Sequence, residues 1–231
     1  MSGPRIEILA YEETPLGVLC LRRREPAASP GTVITEITLN HEFLMSSYHT
    51  ASERALATTA LEMHPGTGLD VLIGGLGLGY TAAQALAGGR AAHVEVVELL
   101  PQVAAWLRDG LLPTSDALTG DPRFSVTAGD LYARLVDRPV HTHDLILVDV
   151  DHSPDDRLDD SSRGFYTAGG LARAKRHLAP GGVLGVWSYA ESTPFADALH
   201  EVFRSVRVEP LTFHNRHLGE DQTDWLFFAR D

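Results

Sequence analysis

Val71-Leu72-Ile73-Gly74-Gly75-Leu76-Gly77-Leu78-Gly79 is an apolar run that breaks into closely spaced glycines. The run reads as a short buried strand over residues 70–73. Glycine lets the backbone turn sharply and approach a ligand with no Cβ in the way. Beyond Gly79 the spacing is helical to about Ala87. The stretch therefore reads as strand, tight loop and helix N-terminus, where free backbone N–H groups collect. Working outward, the alternation recurs. Residues 93–97, 123–127, 145–148 and 183–188 read as strands, with helices over 101–110, 131–136, 168–178 and 194–203. Two last strands fall at 206–211 and 225–229. Leu145-Ile146-Leu147-Val148 is apolar throughout, which marks a central strand covered on both faces. The pattern predicts an α/β fold on an open parallel sheet with helices on both faces. Ligands in such sheets bind at the carboxyl ends of the strands.

Upstream the pattern changes. Ile6-Glu7-Ile8-Leu9 and residues 32–39 alternate, and Thr14-Pro15-Leu16-Gly17 is a turn signal. Residues 1–50 thus predict a small β-hairpin region, and residues 51–231 the main domain. A helix is expected from Ser52, as its N-cap, to the stop at His64-Pro65-Gly66. The hairpins are too short to bury much alone; they are expected to pack on the core or to pair with a second subunit as a homodimer.

The 231 residues carry a net charge of −12, and 44% are apolar. This acidity argues against nucleic-acid binding, which needs a basic footprint. No apolar run approaches the ~18 residues that span a bilayer, and Met1–Arg5 has no signal-peptide character. A soluble cytoplasmic protein is expected. The single cysteine, Cys20, excludes an internal disulfide framework. No metal-ligand spacing stands out, His214 and His217 included, so no metal is expected. A G-x-S-x-G elbow is also missing.

Four places carry chemistry. The first is the glycine loop, with Gly74, Gly75, Gly77 and Gly79 as candidate cofactor-binding residues. It reads G-x-G-x-G from Gly75, a pattern of S-adenosylmethionine binders. The dinucleotide fingerprint fits less well: counted from Gly75 its last glycine falls on Tyr80, and counted from Gly77 it falls on Ala82. The second is Glu98 at the end of its strand, where a carboxylate can accept from both ribose hydroxyls. Glu95 is mid-strand and expected to face solvent or a partner. The third is Asp130, after Gly129, placed to accept from an adenine amino group. The fourth is Asp149-Val150-Asp151-His152, closing the central strand. A partly desolvated carboxylate there can hold an amine or take its proton; Asp149 is the first choice, with Asp151 and His152 behind it. The polar segment from Met45 to Glu53, with Tyr48 and His49, is placed to reach over the crevice and touch substrate.

Together these pieces resemble the spermidine synthase-like family, on the class I S-adenosylmethionine-dependent methyltransferase fold, a Rossmann-like sheet. The resemblance runs from about Ile6 to Ala229. Its carriers are Val71–Gly79, Val94–Glu98, Asp121-Pro122-Arg123, Gly129-Asp130, Asp144–Asp149, Phe165-Tyr166 and Leu178–Val183, with Tyr48-His49 resembling the substrate gate. It implies that Glu98 binds ribose, Asp130 binds adenine, and Asp149 engages the attacking amine. There are departures. The polyamine synthases carry an aspartate inside the glycine loop that holds the aminopropyl ammonium; here Leu76, Gly77 and Leu78 offer none. The second aspartate of the later motif is displaced, with Asp151 or His152 near its place. A divergent bacterial branch with Val148–Asp151 and Trp187-Ser188 is the better likeness.

The expected function is transfer from an S-adenosyl sulfonium. The first reading is methyl transfer from S-adenosylmethionine to a small-molecule amine or hydroxyl, with Asp149, Tyr48, His49 and His152 catalytic. The second is aminopropyl transfer from decarboxylated S-adenosylmethionine to a polyamine. A non-catalytic nucleoside-binding protein and a nicotinamide dehydrogenase are further alternatives.

Overall fold

A computed structural model describes residues 6–26, 31–150, 152–155, 160–215 and 219–231. The N-terminal residues form an antiparallel sheet in the order β1 (Ile6–Thr14), β2 (Gly17–Arg24), β3 (Ile34–Leu39) and β4 (Glu42–Ser46). The main chain of elements follows: α1 (Ala51–Met63), β5 (Leu69–Gly74), α2 (Tyr80–Ala87), β6 (Ala91–Glu98), α3 (Pro101–Arg108), α4 (Ser115–Thr119), β7 (Phe124–Ala128), α5 (Leu131–Val136), β8 (His143–Val148), α6 (Ala168–Lys175), β9 (Leu178–Ser188), α7 (Thr193–Val202), β10 (Ser205–Asn215) and β11 (Glu220–Arg230).

The second sheet has the order β10-β11-β9-β8-β5-β6-β7. β8 is therefore central, as its apolar sequence predicts. Strands β7, β6, β5, β8 and β9 run parallel, whereas β11 is antiparallel to both β9 and β10. The sheet is mixed rather than parallel throughout, because β10 and β11 pair as a hairpin from Ser205↔Arg230 to Asn215↔Glu220. Only four residues lie between Asn215 and Glu220, fewer than the dozen or more that a parallel crossover needs, so the second strand must return in the opposite direction.

Alternation along each strand sends neighbours to opposite faces. Val71 and Ile73 of β5 and Leu145 and Leu147 of β8 join a core with α1 and α2; Leu72, Ile146 and Val148 join another with α5, α6 and α7. Burying each such side chain contributes roughly 1.5–3 kcal/mol. Leu19, Leu21 and Ile37 of the N-terminal sheet belong to the first core, beside Leu56 of α1. That packing brings β4 across the end of β5.

Two local expectations are corrected. The N-cap of α1 is Thr50, not Ser52, and it caps with no side-chain bond. The Ser52 hydroxyl has a stronger acceptor, the Asp224 carboxylate at 2.6 Å. Helix α4 is an addition to the expected elements, one short turn after Thr114. Among the described residues no helix is long and apolar enough to cross a membrane.

Candidate active site

The carboxyl ends of β5, β6, β8 and β9, covered by β4 and the start of α1, enclose a cavity of about 920 Å³. That is ample for a nucleoside with an attached chain. Gly75, Leu76, Gly77, Glu98, Asp130, Asp149, Tyr48, His49 and His152 all line it. Asp151 lies outside the described residues, as does most of the acidic run after it.

One half of the cavity is built around Glu98. Its carboxylate accepts from the Leu76 N–H and the Leu100 N–H, each at 2.7 Å. The residue is almost fully buried, and burial raises its pKa against the opposing pull of these amides. Glu98 thereby holds the glycine loop from behind while facing the cavity. Asp130 caps α5: its Oδ1 accepts from Tyr132 N–H at 2.8 Å and Ala133 N–H at 3.3 Å. Both bonds use one oxygen, so Oδ2 is not consumed by the cap. Apolar side chains of Leu99, Leu100, Val103 and Leu131 complete this half.

The four loop glycines divide by role. Gly75 and Gly77 face the cavity with positive φ, +82° and +48°. Gly74 and Gly79 face protein instead: a Cβ on Gly74 would strike Leu131, and one on Gly79 would strike Thr114 and Leu118. At these two positions the missing Cβ admits close packing against protein. A Cβ on Gly77 would fall onto the Met45 sulfur, which also receives the Leu78 N–H at 2.8 Å. Met45 of β4 thus fills the space above the loop that a side chain at position 77 would need.

The other half is acidic. Asp149, at the end of β8, accepts from the Thr81 hydroxyl at 2.6 Å. Burial pushes its carboxyl up to about 6, with the Thr81 bond opposing and the Asp224 charge adding. Glu53 in the first turn of α1 is pushed further, to about 8, first by burial and then by the charge of Asp149. Asp224 of β11 is also raised by burial, while Ser52 and the Trp187 indole pull it down. Three carboxylates therefore converge with no Lys or Arg bonded to them among the described residues. Tyr48, His49 and Phe213 roof this end, with the His49 ring 4.3 Å from Tyr48 and 4.6 Å from Phe213. The His152 ring stands edge-on to Tyr189 at 6.3 Å.

Sequence reading missed Glu53, Thr81 and Asp224 as individual residues. Glu53 ends the polar segment that begins at Met45. Asp224 had a signal too, a carboxylate directly before the apolar run Trp225-Leu226-Phe227-Phe228. Glu95 has a partner rather than solvent: Arg134 grips it with two bonds, at 2.7 and 2.9 Å.

No protein-family profile matches the chain, and no curated protein matches it in sequence. Solved structures do match in shape. A spermidine synthase in complex with the transition-state analogue AdoDATO superposes with a TM-score of 0.75 at 17% identity, over 96% of this chain and 73% of that one. The spermidine synthase from Thermotoga maritima gives 0.73 at 15% identity, over 96% and 71%. Both sheets take part in so complete a superposition. The chain has the spermidine synthase-like fold, as its glycine loop, Glu98 and the end of β8 suggest.

Proposed function

We propose that this protein transfers an alkyl group from an S-adenosyl sulfonium to an amine, with aminopropyl transfer from decarboxylated S-adenosylmethionine as the first reading. The observation that carries it is the acid trio Glu53, Asp149 and Asp224 in the same cavity as the Glu98–Asp130 half. Buried carboxylates without cations are costly, and a cationic ligand relieves the cost. A polyamine acceptor or an aminopropyl ammonium is such a ligand. A sulfonium brings a carbon already activated by its leaving group. Glu98 and Asp130 would hold the nucleoside, and the amide-braced loop would keep the sulfur in place. Asp149, near neutrality in its titration, would take the proton from an attacking ammonium. The amine lone pair then forms the new C–N bond as the C–S pair returns to sulfur. The apolar and aromatic lining would exclude water from the line of attack.

Methyl transfer to an amine remains a second reading, favoured by one observation. The position that carries the aminopropyl-binding aspartate in the polyamine synthases is here a loop without acid, and Met45 fills the space above Gly77. The test incubates purified protein with each donor and a mixed set of amines, reading products by mass. Methylthioadenosine with an aminopropylated amine is expected. Methylated amine instead would install the second reading; neither nucleoside product would overturn both.

A further inference from the structure

Away from the cavity, at the amino-terminal edge of the large sheet, a second group of side chains meets. Asp70 is near the start of β5, His143 begins β8, and His141 precedes it. One ligand atom from each lies within 4.8 Å of the other two. His93 of β6 stands beside Asp70 in register. From these we propose a site for a divalent transition-metal ion of the zinc class, held by Asp70, His141 and His143 with His93 as the fourth ligand.

The geometry is specific. The Asp70 carboxylate is shared: Oδ1 is hydrogen-bonded to His143 Nδ1, and Oδ2 lies 3.6 Å from His93 Nδ1. The His141 and His143 rings are 4.4 Å apart, at 64°. Ser125 Oγ meets His93 Nε2 at 3.2 Å and so turns the other nitrogen toward Asp70. This is the outer bond that fixes a ligating imidazole. His143 is buried, whereas His141 is exposed and can close the set. Tetrahedral zinc at about 2.0–2.1 Å from each ligand needs donor atoms roughly 3.4 Å apart. Reaching that needs the Asp70–His143 bond to open and His141 and His93 to close in. Three imidazoles and one carboxylate suit zinc, copper or nickel rather than calcium or magnesium. The nearby cation Arg134 is occupied by Glu95.

The site is independent of the proposed transfer reaction. Gly74 lies four positions beyond Asp70 along extended β5, about 13 Å at 3.3 Å per residue. A metal there would clip β5, β6 and β8 together.

The test uses the full chain, stripped with chelator and dialysed against Zn²⁺, with the visible spectrum of Co²⁺ as reporter. Expected are one bound equivalent and the absorption bands of tetrahedral Co²⁺. His141→Ala and Asp70→Asn should each weaken binding by more than about tenfold. His141 is exposed, so its variant keeps the fold, which far-UV circular dichroism would check. No bound metal, or Zn²⁺ held as tightly by His141→Ala as by the parent, overturns the assignment.

Discussion

The Ser52 hydroxyl bonds Asp224 Oδ2 at 2.6 Å, joining residues 172 positions apart in the chain. The same hydroxyl oxygen lies 3.1 Å from Glu53 Oε2. A hydroxyl has one proton to donate. Glu53, pushed up to about 8 first by burial, therefore shares a single donor with Asp224. The three residues form one hydrogen-bonded chain that joins α1 to β11.

Stability should therefore fall as pH rises. Glu53 moves from 4.5 to about 8 and Asp149 from 3.8 to about 6, so the folded chain binds more protons than the unfolded chain in those windows. The stabilisation is present below the ordinary values and is lost as pH climbs through the raised ones. Denaturant melts from pH 4 to 9 check this. Glu53→Gln should flatten the curve and be more stable than the parent at pH 9 by about 1–3 kcal/mol. A polyamine added to the parent should flatten it too.

Asp149→Asn should lower the transfer rate by about 10²–10⁴ while leaving nucleoside-product affinity nearly unchanged. Single-turnover rates and calorimetry with methylthioadenosine separate the two quantities. A variant with parental turnover would remove Asp149 from the reaction.

Thr81→Val deletes a bond that favours the ionised form of Asp149. The acid limb of the rate–pH profile, expected where the Asp149 carboxyl titrates, about 6, should move up by about 1–2 pH units in the variant. A purely structural role for Thr81 would lower the rate without moving the limb.

Gly77→Asp should destabilise by about 1–3 kcal/mol, because its φ of +48° is unfavourable and its Cβ meets Met45. Combined with Met45→Ala, the loss should shrink, an interaction that a double-mutant cycle of melting curves measures. The double variant should also favour decarboxylated S-adenosylmethionine over S-adenosylmethionine more than the parent does.

Glu98→Ala orphans the Leu76 and Leu100 amides, at a cost of about 1–3 kcal/mol each. Thermal melts should show the loss, and nucleoside titration should show affinity down by tenfold or more, about 1.4 kcal/mol.

Much of this was legible in the chain itself. A strand that is apolar on both faces must be buried, so the central place of β8 follows from Leu145–Val148. Glycines after a strand and carboxylates at strand ends are local patterns, and they located the loop, Glu98, Asp130 and Asp149 without any knowledge of contacts. The antiparallel return of β11 was not legible, because strand direction depends on how β10 and β11 pair and not on composition.

By itself the sequence determined the α/β alternation, the crevice end of the sheet and the place of Glu98, Asp130 and Asp149 along it, since each rests on neighbours close in the chain. Only the tertiary structure decided what stands beside Asp149. Glu53 comes from the first helix and Asp224 from the last strand, and their pKa values rise because folding removes water from all three at once. The same holds for Met45 over Gly77, and for Asp70 between His93 and His143. Desolvation and close approach between distant segments have no period or spacing in the chain from which they could be read.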